Sequence, residues 1–96
     1  FSGNGLFGGS TNAGNAATYT VSVGLAGTTA GGIQLWAATN QTHYIQFGDG
    51  TAAADNYRGY IAYAHSTDSL ILGTASADRL TIASTGAATF SNNLTL

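Results

Sequence analysis

Four carboxylates, Asp49, Asp55, Asp68 and Asp78, and two imidazoles, His43 and His65, are the side chains of this chain best suited to acid–base or metal chemistry. Two carboxyls held roughly 5 to 9.5 Å apart make the acid–base pair of a glycoside hydrolase. The local sequences argue for a humbler role. Asp49 lies between Gly48 and Gly50, Asp55 precedes Asn56, Asp68 falls in Ser66-Thr67-Asp68-Ser69, and Asp78 precedes Arg79. These are settings in which an aspartate side chain bonds the amides of its own turn. The histidines stand at strand edges with no second ligand at a metal-site spacing, so they read as structural, although three copies of either would converge if it faced a three-fold axis. No Cys occurs, which removes disulfides, thiolate metal sites and thiol nucleophiles. Plentiful Ser beside so few His and Asp is background to a triad, not a triad.

Other motifs fail for want of context. Gly3-Asn4-Gly5-Leu6-Phe7-Gly8 matches the dinucleotide-binding glycine pattern, whose glycines work only between a strand and a helix N-terminus. Gly9-Ser10-Thr11-Asn12, which follows it, is not a helix start. Asn40-Gln41-Thr42 and Asn93-Leu94-Thr95 are formal glycosylation sequons of the kind expected by chance where Asn and Thr abound. The sequence therefore assigns no catalytic residue, no cofactor and no metal, and the chain reads as a protein that is not an enzyme. The aromatic residues offer binding instead. Trp36, Tyr44, Tyr57 and Tyr60 are the candidate glycan contacts, since sugar rings stack on such faces, with core packing as the simpler account. Arg58 and Arg79 are the only cations and are expected to pair with Asp in a structural role.

The elements that must position these residues are short strands. Apolar and polar residues alternate at period two over residues 18–25, with Tyr19, Val21, Val23 and Leu25 on one face. Further strands are expected over 33–37, 42–47, 58–65, 70–74, 79–83 and 87–90. Gly48-Asp49-Gly50, Ser66 to Ser69 and Ser84-Thr85-Gly86 separate them with turn-forming residues. No sustained 3.6-residue apolar period appears, so helix content should be near zero. In Tyr60-Ile61-Ala62-Tyr63-Ala64 apolar residues fall on both faces, which predicts a sheet covered twice. A chain of 96 residues without cross-links covers both faces most readily with help from other copies of itself.

Composition narrows the partners. Only 6% of residues are charged, against roughly 25% in an average soluble domain, and the net charge of -2 offers no basic surface. Nucleic acid and anionic membrane surfaces are therefore excluded as partners. A hydrophobic content of 44% argues for folding rather than disorder. No apolar run is long enough for a membrane-spanning helix and no signal-peptide pattern appears; Phe1 in place of Met reads as an excerpt or a processed product. Phe90-Ser91-Asn92-Asn93-Leu94 echoes Phe1-Ser2-Gly3-Asn4-Gly5-Leu6, a period of about 89 residues as in repeat proteins. On that basis residues 1–16 are a Gly-rich linker between repeats, 17–90 a β-rich repeat, and 91–96 the start of the next.

The order of several motifs carries a resemblance. Tyr44-Ile45-Gln46-Phe47-Gly48-Asp49-Gly50 is followed by Arg58-Gly59-Tyr60-Ile61-Ala62-Tyr63-Ala64-His65, then Asp68-Ser69-Leu70, then Arg79-Leu80-Thr81-Ile82 and Thr85-Gly86. Over about residues 44–96 this resembles the shaft repeats of bacteriophage tail fibres and tailspikes, which often precede a receptor-binding tip or an endosialidase-type intramolecular chaperone. The resemblance implies a homotrimer exposed on the virion, extracellular and in contact with other virion or fibre proteins; host-surface glycans are the partner that the aromatic residues would bind, although shaft repeats generally hold out a tip rather than touch the receptor.

The resulting expectation is an all-β fold of short antiparallel strands in an interleaved homotrimeric fibre segment, serving as a structural shaft. Ile45, Phe47, Ile61, Tyr63, Leu70, Leu72, Leu80 and Ile82 are expected to pack the trimer. The alternatives are a carbohydrate-binding fibre module and a bacterial surface adhesin or extracellular filament subunit.

Overall fold

A computed structural model describes Gly27, Ala30 and residues 32–95. The strand expected over 18–25 and the Gly-rich stretch 1–16 lie outside the described residues. Leu35–Leu96 form one compact unit that holds every described strand.

That unit is a single antiparallel sheet. Its strands are β1 (Thr42–Phe47), β2 (Gly59–Ala64), β3 (Ser69–Thr74), β4 (Ala77–Ile82) and β5 (Ala88–Phe90), laid side by side in chain order. The last five expected strands are all present, with ends moved by no more than two residues. The strand expected over 33–37 is not, and residues 32–38 have no regular structure. Apolar alternation makes a strand only where a ladder exists to join, and no strand pairs with the outer edge of β1 among the described residues. A turn closed by the Gln41 amide on the Ala38 carbonyl, 3.0 Å, leads directly into β1.

Turn chemistry fixes the register. A four-residue turn, with Asp68 in the left-handed region at φ 51°, joins β2 to β3. Ala75 and Ser76 alone join β3 to β4, both at positive φ (50° and 60°), the mirror-image turn whose twist suits a two-residue hairpin. Between β4 and β5 the chain reverses through Gly86, at φ 90°, whose amide bonds the Ala83 carbonyl. The β1–β2 connection is longer and contains a short 3-10 helix, Ala53–Tyr57, around Asp55, whose local sequence predicts a turn. Here the amides of Asp49 and Gly50 converge on the Asp55 carbonyl, and the Ser76 hydroxyl bonds the Ala54 carbonyl at 3.0 Å. The loop is thereby tied back onto the hairpin beside it.

Side chains alternate across this sheet and sort it into two unlike faces. The cross-strand row Ile45, Ile61, Leu72, Leu80, Phe90 and its neighbour His43, Tyr63, Leu70, Ile82, Ala88 make one face. Tyr44, Ala62, Ile71, Thr81 and Thr89 run across the other. Among the described residues Ala62, at 3% exposure, is the one buried hydrophobic residue. The sheet is thus one layer, where a stable domain packs two.

Candidate functional site

The apolar face is unusual in its exposure. All the residues expected to pack a trimer, Ile45, Phe47, Ile61, Tyr63, Leu70, Leu72, Leu80 and Ile82, fall on it, each at an alternate position of its own strand. Phe47 is 59% exposed, Ile45 47% and Leu72 39%, and Phe90 joins them. Leu35 reaches this face and, with His43, Ile61 and Leu70, rims a small hollow of about 100 Å³.

At the β2–β3 end of the face the two histidines meet. His43 Nδ1 and His65 Nε2 are 3.0 Å apart, so one ring donates and the other accepts, and the rings stand edge to face at 5.1 Å. Tyr63 also packs edge to face on His65, with centroids 5.0 Å apart. His43 Nε2 is buried without a hydrogen-bond partner. The sequence separation of the two histidines hid this contact, which the antiparallel β1–β2 register creates by setting Gln41 opposite His65. Among the described residues no group of three or more His, Asp or Glu is placed to hold a metal ion.

The opposite face carries a groove of about 370 Å³ with Ala62 and Ile71 in its floor. Tyr44 stands on it from β1, Tyr60 from β2, and Tyr57 is delivered from outside the sheet by the 3-10 helix. The Tyr44 and Tyr60 rings are 6.4 Å apart and near perpendicular, and Tyr57 and Tyr60 are 6.5 Å apart. Of the candidate glycan contacts, Tyr44, Tyr57 and Tyr60 are therefore together. Trp36 is 82% exposed and does not line the groove.

Asp78 closes the groove. It accepts a hydrogen bond from the Tyr60 hydroxyl, across the cross-strand row Tyr60, Gly73, Asp78. Gly73 permits the bond, since a Cβ at that position would lie 2.2 Å from the Tyr60 ring. A register shift between Leu72 and Gly73 brings Asp78 opposite this glycine. The bond to Asp78, then burial, then the carboxylate charge push the Tyr60 hydroxyl from 10.0 to about 12. On the other face the Tyr63 hydroxyl donates to Asp68 at 3.2 Å, and it too is raised, by desolvation first and by the Asp68 charge next.

Asp68 stands in its turn as expected, but two of the aspartates do more than bond turn amides. Asp68 and Asp78 accept from tyrosines, and Asp78 lies within β4 rather than in a turn. Tyr60 and Tyr63 point to opposite sides of β2, so their two carboxylate partners serve opposite faces. The cations also diverge. Arg58 approaches Asp49 at 3.8 Å with both side chains exposed, whereas Arg79 donates to the Thr74 carbonyl and hydroxyl at 3.2 Å instead of to an aspartate. No protein-family model matches the chain, and no curated protein or solved structure matches it either.

Proposed function

We propose that the chain is a structural shaft segment of a phage tail fibre or tailspike, on the virion and outside the cell, in which three copies cover one another's apolar faces and hold out a host-recognition tip. The observation that carries this reading is the apolar face of a one-layer sheet, with nothing packed across most of it among the described residues. Completing the burial of each half-exposed Ile, Leu or Phe is worth roughly 0.5 to 1.5 kcal/mol, and the face offers several per copy. The phage assignment rests on the motif order from Tyr44 to Gly86. A second reading, an open filament of a bacterial surface adhesin, draws on the outer edges of β1 and β5, which no strand among the described residues pairs and which favour edge-to-edge addition.

The test compares two substitutions of like chemistry on opposite faces. Leu72→Asp places a charge on the apolar face and is expected to abolish the assembled species in size-exclusion light scattering. Thr81→Asp, one position from Leu80 and on the other face, is expected to leave the assembled mass unchanged. An assembled mass that survives Leu72→Asp contradicts the proposal.

A further inference from the structure

The tyrosine groove lies on the face that a shaft of this kind turns outward. It is built rather than incidental. Gly73 gives up a side chain beneath Tyr60, the register shift sets Asp78 at the end of that ring, and the 3-10 helix carries Tyr57 over from outside the sheet. The hydrogen bond to Asp78 holds one wall in place before any ligand arrives, which lowers the ordering cost of binding. The volume of about 370 Å³ falls at the small end of ligand-site sizes.

The lining selects among occupants. No Lys or Arg borders the groove and the one charge is the Asp78 carboxylate, so phosphate, sulfate and acidic sugars are repelled. Aromatic faces suit the C–H faces of a pyranose, while the Tyr hydroxyls, Thr42 and Gln46 supply donors and acceptors for its hydroxyl groups. Tyr44, at 53% exposure, leaves the groove open to a chain longer than one sugar.

We propose that this groove is a lateral binding subsite for a neutral oligosaccharide, contributed once by each copy along the shaft. The inference rests on the trimeric reading only for which face remains open. A shaft that touches a glycan coat along its length gains avidity from weak sites repeated in register.

Affinity electrophoresis in native gels cast with dextran, mannan or galactomannan tests this, with polysialic acid as the anionic arm and choline chloride as the cationic competitor. The wild-type chain is expected to be retarded by at least one neutral polysaccharide. Tyr57→Ala and Tyr44→Ala, both at exposed positions, are expected to weaken that retardation at least fivefold while native mass stays the same. Absence of retardation in every neutral gel, retention of it by both variants, retardation by polysialic acid alone, or reversal by choline chloride would each overturn the proposal. Retardation by a chain whose native mass is that of a monomer would uphold the subsite and remove the shaft reading.

Discussion

Tyr60 is the residue at which the polar face is most tightly specified, because its hydroxyl donates to a carboxylate that would repel the tyrosinate left when that proton is lost. The sign of the pH effect follows from the raised value of about 12. With the folded-state value above the ordinary 10.0, the hydroxyl's contribution to stability is whole below about pH 10 and is lost as pH rises through about 12. Tyrosinate absorbance, followed against pH in the native chain and in Tyr60→Phe, should show the most alkaline titration step missing from the variant. A Tyr60→Phe curve that retains that step would assign it to another tyrosine. This pairing was not legible in the sequence. Tyr60 and Asp78 are 18 positions apart, and their meeting depends on a register shift and a bare glycine that period-two patterning does not encode. The His43–His65 contact was hidden for a similar reason, since it needs the pairing register and not only the strands.

At the scale of the element, the strands from Thr42 onward were readable because alternation there coincides with turn residues on both sides, and the two signals agree. Residues 33–37 carried the alternation without a ladder to join, and the 3-10 helix Ala53–Tyr57 is too short to show a period. Tyr57 therefore entered the groove by a route that strand logic cannot trace. The β3–β4 turn also departs from local preference, with Ala75 and Ser76 in a conformation that favours Asn and Gly. Ser76 is tied to Arg58 and Ala54 by hydrogen bonds, so Ala75 is the position free to improve. Ala75→Asn is expected to stabilise the sheet by about 0.5 to 1 kcal/mol, read as a rise in the thermal or denaturant midpoint. A lowered midpoint would mean that the turn is set by its surroundings and not by its own backbone preference.

For the whole molecule, the decisive feature is the contrast between the faces. The sequence placed Ile45, Phe47, Ile61, Tyr63, Leu70, Leu72, Leu80 and Ile82 together by alternation within each strand, and the sheet register puts them on one side. What patterning alone left open was whether the opposite side is equally apolar; it is not, because Thr81, Thr89 and Gln46 share it with the tyrosines. Among the described residues one face is thus apolar and half-exposed and the other carries a groove. A lone layer with this much exposed Ile, Leu and Phe is an aggregation hazard unless it is covered by its own kind in a closed arrangement. Native mass by light scattering across a dilution series tests this most directly. The account predicts a constant mass of three copies of the 9.6 kDa chain, about 29 kDa, that persists on dilution. A folded monomer at every concentration would contradict it.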